Sequence, residues 1–146
     1  MKNLALLIDA NVVMDYLVAR QPKCADASHV IMACQKPRIK GFIAFHTLSS
    51  IWYILRKLPA EQRRGLLLEA ARLLTVASAS HEAVVNAIQE ERFHDFEDCL
   101  QEKCAIDVHA DYIVTENTKD FSASAIPAVT SARMLQILYD MREELS

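Results

Sequence analysis

Glycine is almost missing from this chain, with only Gly41 and Gly65 among 146 residues. Walker-type and dinucleotide-binding loops need several glycines so that backbone amides approach phosphate closely, so both are excluded. The four cysteines, Cys24, Cys34, Cys99 and Cys104, include no Cys-x-x-Cys pair. That spacing rules out a zinc knuckle or a redox pair and leaves reduced thiols packed in helical segments. No apolar run approaches a membrane span, and the five apolar residues after Met1-Lys2-Asn3 are too few for a signal-peptide core. A cytoplasmic protein with no membrane partner is expected. Basic charge is not in excess either: the formal net charge is −3, so no global field advertises nucleic acid, and only a local basic patch would do so. Linkers, repeats and low-complexity segments are also missing.

What is present is a chain with 52% hydrophobic residues, long enough to bury a sizeable core as one domain over residues 1–146. Its first segment sets the organisation. Leu4-Ala5-Leu6-Leu7-Ile8 is too short for a helix and does not alternate, which suits a strand buried on both faces of a parallel sheet. Asp9-Ala10-Asn11 follows at once, placing a carboxylate at the carboxyl end of a central strand, where open α/β sheets bind ligands. Asp9 or Asn11 acting only as a helix cap is the plainer alternative.

Further along, helices are expected over Val12–Ala19 and from Pro22 to about Gln35, then a strand over Ile39–Ala44. A helix over His46–Leu58 buries Leu48, Ile51, Trp52, Leu55 and Leu58 and presents His46, Ser50, Tyr53 and Lys57 on its other side. Pro59 breaks the chain before a helix over Glu61–Leu74, making a helix hairpin, and Thr75–Ala77 is at most a short strand. Ser80 caps a helix to about Glu91, and Asp95 caps another that carries Phe96, Cys99, Leu100 and Cys104 inward. Asp111–Thr115 is strongly β-forming, Ile126–Val129 is a short edge strand because of Pro127, and Thr130 caps a last helix with Met134, Leu135, Leu138, Met141 and Leu145 on its apolar face. Alternation of this kind predicts a three-layer α/β/α domain around a parallel sheet of about five strands.

If the strands over Leu4–Ile8 and Asp111–Thr115 are neighbours, Asp9, Asn117 and Asp120 converge, and the helix start at Asp95 to Asp98 reaches them from the side. Carboxylates crowded into one crevice repel one another unless a divalent cation neutralises them, and oxygen-only ligands favour Mg²⁺ or Mn²⁺. Helix capping accounts for Asp95, and turn chemistry for Asn117, about as well.

The stretches Leu6-Leu7-Ile8-Asp9-Ala10-Asn11-Val12-Val13-Met14-Asp15, Asp95-Phe96-Glu97-Asp98-Cys99-Leu100-Gln101 and Ala110-Asp111-Tyr112-Ile113-Val114-Thr115-Glu116-Asn117-Thr118-Lys119-Asp120-Phe121 together resemble a PIN domain of the VapC toxin type. The resemblance implies a metal-dependent ribonuclease, usually the toxin of a toxin and antitoxin pair, with a five-stranded parallel sheet and commonly a homodimer. By motif match it makes Asp9, Asp98 and Asp120 the catalytic acids, and Asp9, Asp98, Asn117 and Asp120 the ligands of Mg²⁺ or Mn²⁺. Asn11, Asp95, Ser50, Thr115 and Glu116 fall beside them as supporting residues. One position departs from the pattern: a helix that resembles Thr-Leu-Ser-Glu-Ile in the family reads Thr47-Leu48-Ser49-Ser50-Ile51 here, with Ser50 at the acid. Losing a charged ligand weakens metal binding by at least the roughly 10- to 100-fold typical of losing an outer partner.

Two functions follow. One is an endoribonuclease in which a metal-bound water attacks the phosphodiester. The other is a catalytically impaired PIN domain that binds RNA or an antitoxin protein, with Lys36, Arg38, Lys40, Arg56, Lys57, Arg63 and Arg64 as a basic rim or simply as solvated helix ends. A phosphohydrolase of the haloacid-dehalogenase type, using Asp9 as nucleophile, wants a second Asp where Asn11 stands. The apolar residues of the third to fifth helices suit a dimer interface or the core. The dispersed histidines His46, His81, His94 and His109 offer no triad, although His94 lies close to the acids.

Overall fold

The computed structural model describes residues 3–142. Its five strands are β1 (Leu4–Ile8), β2 (Ile39–Ala44), β3 (Thr75–Ala77), β4 (Tyr112–Val114) and β5 (Ala128–Val129). They form one sheet in the order β3-β2-β1-β4-β5, and every neighbouring pair is parallel. The chain therefore steps outward from β1 through β2 to β3, then crosses back to build β4 and β5 on the other side. Between β1 and β4 the direction of winding reverses, and the crevice of an open α/β sheet forms at such a point, beyond the strand ends.

Helices cover both faces: α1 (Ala10–Leu17), α2 (Cys24–Ala33), α3 (Phe45–Ile54), α4 (Ala60–Leu73), α5 (His81–Gln89), α6 (Phe96–Asp107) and α7 (Ser131–Asp140). Alternate residues of a strand face opposite layers. Leu4, Leu6 and Ile8 pack with Val12, Val30, Ile31, Ile51, Ala70 and Met134 on one side, whereas Leu7 packs with Cys104, Ala105, Ile113 and Phe121 on the other. Helix α5 rests on α6 through Ala87 against Cys99 and Leu100. The expected three-layer α/β/α architecture is the one observed.

Gly41 has a physical reason for its identity. A Cβ there would lie 2.6 Å from the Sγ of Cys34 and 2.7 Å from the Cδ2 of Leu74, so the end of α2 approaches β2 at backbone distance. Burial pushes the Cys34 thiol up to about 12 and the Cys104 thiol up to about 11, as expected for thiols that serve as packing. Cys24 differs from the expectation, being only partly buried at the start of α2.

Several boundaries shift for local reasons. Helix α1 starts at Ala10 because Asp9, not Asn11, is its N-cap. Helix α2 begins two residues after Pro22. The helix expected to reach Leu58 ends at Ile54: Arg56 and Leu58 donate to Tyr53 and Leu55 in tight turns, and the residue before Pro59 is disfavoured in helical backbone. At β5 pairing is confined to Ala128–Val129, on the sheet edge, after Pro127, which has no N–H to give. Leu145 lies outside the described residues.

Candidate functional site

Asp9 ends β1, caps α1 and is 7% exposed. Its Oδ1 accepts the Ala10 N–H at 2.8 Å and the side-chain amide of Gln101 at 2.8 Å. Its Oδ2 accepts the Thr115 hydroxyl at 2.7 Å and the Asn11 amide at 3.1 Å. These four donors take up the roughly four lone-pair sites of a carboxylate. Burial raises the Asp9 pKa from its ordinary value, and the bonds from Thr115, Ala10 and Asn11 oppose that rise.

The donors are themselves fixed. The same Gln101 amide nitrogen reaches Thr47 Oγ1 at 2.9 Å, and Gln101 and Thr47 are both buried. Asn11 donates to Thr115 Oγ1 and accepts the Glu116 N–H, so α1 and the end of β4 are tied together around Asp9. Sequence reading put Asn11 and Thr115 here and missed the roles of Gln101 and Thr47, although both stand inside the quoted stretches Asp95–Gln101 and Thr47–Ile51.

Asp98, in the first turn of α6, is half-buried. Burial, followed by the charges of Asp9, Asp95, Asp120 and Glu97, pushes its carboxyl up to about 7. Of the residues expected to converge, Asp98 and Asp120 share one cavity, whose lining includes neither Asp9 nor Asn117. Asp95, Asp98 and Asp120 line a cavity of about 570 Å³ with Phe96, His94 and Lys119. Asp95 is exposed and caps α6 through the Glu97 N–H at 2.7 Å. Asn117 is exposed and stands at the head of the 3₁₀ turn Thr118–Phe121 that carries Asp120; its N–H donates to Thr115 Oγ1.

Two residues with proposed supporting roles sit differently. Glu116 turns toward the start of α7, where it accepts the Ser131 N–H at 3.2 Å, and lies 3.8 Å from Lys23. Ser50 Oγ lies 3.2 Å from the His46 carbonyl and 3.3 Å from Glu97 Oε1, so Glu97, not Glu116, is the acid beside it. His46 joins this corner through Nε2, 3.1 Å from the Glu97 carbonyl; a carbonyl only accepts, so Nε2 carries the proton. Phe96, expected inward, is 46% exposed, because Cys99, Leu100 and Cys104 already fill the buried face of α6. None of the seven residues of the expected basic rim lines the crevice. Arg63 and Arg64 instead stack over Trp52, and Arg56 over Tyr53.

Asp9, Asp98 and Asp120 with the Asn117 amide offer oxygen donors that suit a hard divalent cation, and burial, followed by the charges of neighbouring acids, drives the Asp98 carboxyl up to about 7. The set is open, not closed: among the described residues no three His, Cys, Asp or Glu side chains are placed to hold an ion together. Asp9 has to exchange one of its four donors to take part.

Behind the crevice lies a compensated cluster. Glu102 is fully buried on α6 and accepts from Arg92 at 2.8 Å and from the Ala125 N–H at 2.8 Å, with Lys103 at 3.6 Å. Arg92 also binds Glu90 and the Ala123 carbonyl, and with Lys103 it holds the Glu90 carboxyl down at about 2.

A parallel five-stranded α/β/α domain whose first strand, sixth helix and post-β4 turn bring acids to one crevice is the arrangement of a PIN domain. The sequence model of the PIN domain family matches residues 5–119, and the chain belongs to that family. No curated protein sequence matches it. Solved structures share the fold. VapBC2 from Rickettsia felis, bound to a DNA fragment from its promoter, is 18% identical, covers 87% of this chain and 98% of its own, and has a TM-score of 0.66. The sarcin-ricin loop cleaving toxin VapC20 from Mycobacterium tuberculosis is 16% identical over 86% and 98% of the two chains, also with a TM-score of 0.66. VapBC-1 from nontypeable Haemophilus influenzae is 16% identical over 88% and 99%, again at 0.66. No helix among the described residues is long and apolar enough to cross a membrane.

Proposed function

We propose that this PIN domain is a Mg²⁺- or Mn²⁺-dependent endoribonuclease that hydrolyses phosphodiesters at the β1/β4 crevice. The observation that carries the reading is the cavity of about 570 Å³ lined by Asp95, Asp98 and Asp120, where burial, followed by the charges of Asp9, Asp95, Asp120 and Glu97, pushes the Asp98 carboxyl up to about 7. Perturbed carboxylates in a cleft mark functional sites more often than structural ones. Asp9, Asp98 and Asp120 would hold the cation, with Asn117 as a neutral corner. When bound, such a cation neutralises charge on the phosphodiester and lowers the pKa of the attacking water. Gln101, Thr115 and Asn11 hold the Asp9 carboxylate in position, and it would exchange one of these donors for the cation. Lys119 offers its ammonium to substrate phosphate, whereas Arg92 is already engaged by two carboxylates.

Ser50 and the four satisfied positions of Asp9 favour a second reading, an RNA- or antitoxin-binding module with weak or no catalysis. The similar structures VapBC2 and VapBC-1 make an antitoxin-type protein the partner to seek. A homodimer is the assembly to test.

Cleavage of a labelled single-stranded RNA pool in Mg²⁺ or Mn²⁺ separates the two. The nuclease reading expects wild type to cut and Asp9→Asn to lose at least about 100-fold. No cutting by wild type in either metal sinks it. Cutting by Ser50→Glu alone, with salt-sensitive RNA binding by wild type, establishes the binding module.

A further inference from the structure

Four aromatic rings stand substantially exposed on the described surface: Phe45, Tyr53, Phe96 and Tyr139. Three of them have company. Arg56 stacks over Tyr53 and Arg142 over Tyr139, and Phe45 packs edge-on against His46. Phe96 has neither a cation nor a ring against it among the described residues. Its place is also specific, since it is the first residue of α6 and lines the cavity of about 570 Å³ together with Asp95, Asp98 and Asp120.

Lys119 lines the same cavity and forms no ion pair among the described residues. A free ammonium and an unstacked aromatic ring in the lining of one cavity with three carboxylates present two of the three contacts that a single-stranded nucleotide makes. The ring takes the face of a base, and the ammonium takes a phosphate. A base held in a duplex cannot reach such a ring, because both of its faces are already stacked.

We infer that the crevice contains a subsite for one unpaired nucleotide, with its base stacked on Phe96 and its phosphate held by Lys119. This rests on the nucleic-acid reading of the site and adds the feature that selects the substrate. Phe96 is then a specificity-determining residue, and the adjoining phosphodiester is the one delivered toward Asp98 and Asp120.

The test is fluorescence anisotropy of a labelled single-stranded oligoribonucleotide, the same strand with abasic positions, and its duplex, in Ca²⁺ and again in chelator. Phe96→Leu should weaken single-strand binding by about 5- to 150-fold and leave abasic binding unchanged, and Phe96→Trp should restore it. Lys119→Gln should weaken both strands alike and reduce the salt slope by about 0.7. Equal binding of the single strand by wild type, Phe96→Leu and Phe96→Trp overturns the subsite, as does duplex bound as tightly as single strand. If wild type still cuts RNA in that event, the nuclease reading stands and only the subsite falls. If wild type neither binds nor cuts any RNA, both fall together.

Discussion

One helical turn separates Asp98 from Glu102 on α6, and the fold treats the two carboxylates in opposite ways. Glu102 is fully buried, yet Arg92, Lys103 and the Ala125 N–H all come to it. Asp98 is only half-buried and its neighbours are acids; burial first, and then their charges, push its carboxyl up to about 7. The buried charge is made tolerable by partners, as a structural carboxylate must be. The more accessible one is left in a field that opposes its ionisation, which a fold maintains only where surrounding packing outweighs the cost. Burial alone therefore does not tell the two roles apart; the identity of the neighbours does.

The comparison breaks most visibly at Glu102. Glu102→Leu leaves Arg92 and Lys103 to share the Glu90 carboxylate and removes the acceptor of the Ala125 N–H, and it should cost about 1–3 kcal/mol in urea unfolding. A loss below about 1 kcal/mol would mean that the cluster contributes no more than an exposed pair.

Asp98→Asn should act in the other direction. A carboxyl raised in the folded state binds its proton more tightly folded than unfolded, so its charge opposes folding above the unfolded pKa. That penalty grows from about pH 4 to pH 7 and is constant beyond. Asp98→Asn should thus raise stability at pH 8 by about 1 kcal/mol, well below what the full shift implies because water screens the open half of the side chain, and by nothing at pH 4. An equal gain at both pH values would show that the effect is not electrostatic.

The smallest effect sharpens the role. With Mg²⁺ equal to its dissociation constant, wild type should gain about 0.4 kcal/mol at pH 8, and Asp98→Asn should gain less at the same concentration. Equal gains would place the cation elsewhere.

Much of this was legible in the sequence because it depends on local pattern. The apolar run of β1, the extent of β2 and β3, the caps Ser80, Asp95 and Thr130, and Asp9 at a strand end all follow from neighbours in the chain. What was not legible depends on distant partners. Gln101 and Thr47 stand inside the quoted stretches, but no local pattern shows that Gln101 reaches Asp9, or that it also reaches Thr47, across the fold. Glu102 lies in a Gln-Glu-Lys stretch that resembles a solvated helix face, and it is buried because α5 and the loop after the 3₁₀ turn close over it. Glu116 has the composition of a site residue, but the N-terminus of α7 claims its carboxylate. Phe96 matched the inward periodicity of α6, and three other side chains had already filled that face.

The bond from Thr115 to Asp9 spans 106 residues, and β1 finds its β4 partner only across the same separation. During synthesis, at roughly 5–20 residues per second, the first acid leaves the ribosome many seconds before the residues that fix it. A nascent chain that has reached the end of α6 carries Asp9, Asp98 and Gln101 but neither β4 nor Asp120. The site is thus assembled late, and a chain terminated before β4 cannot possess it.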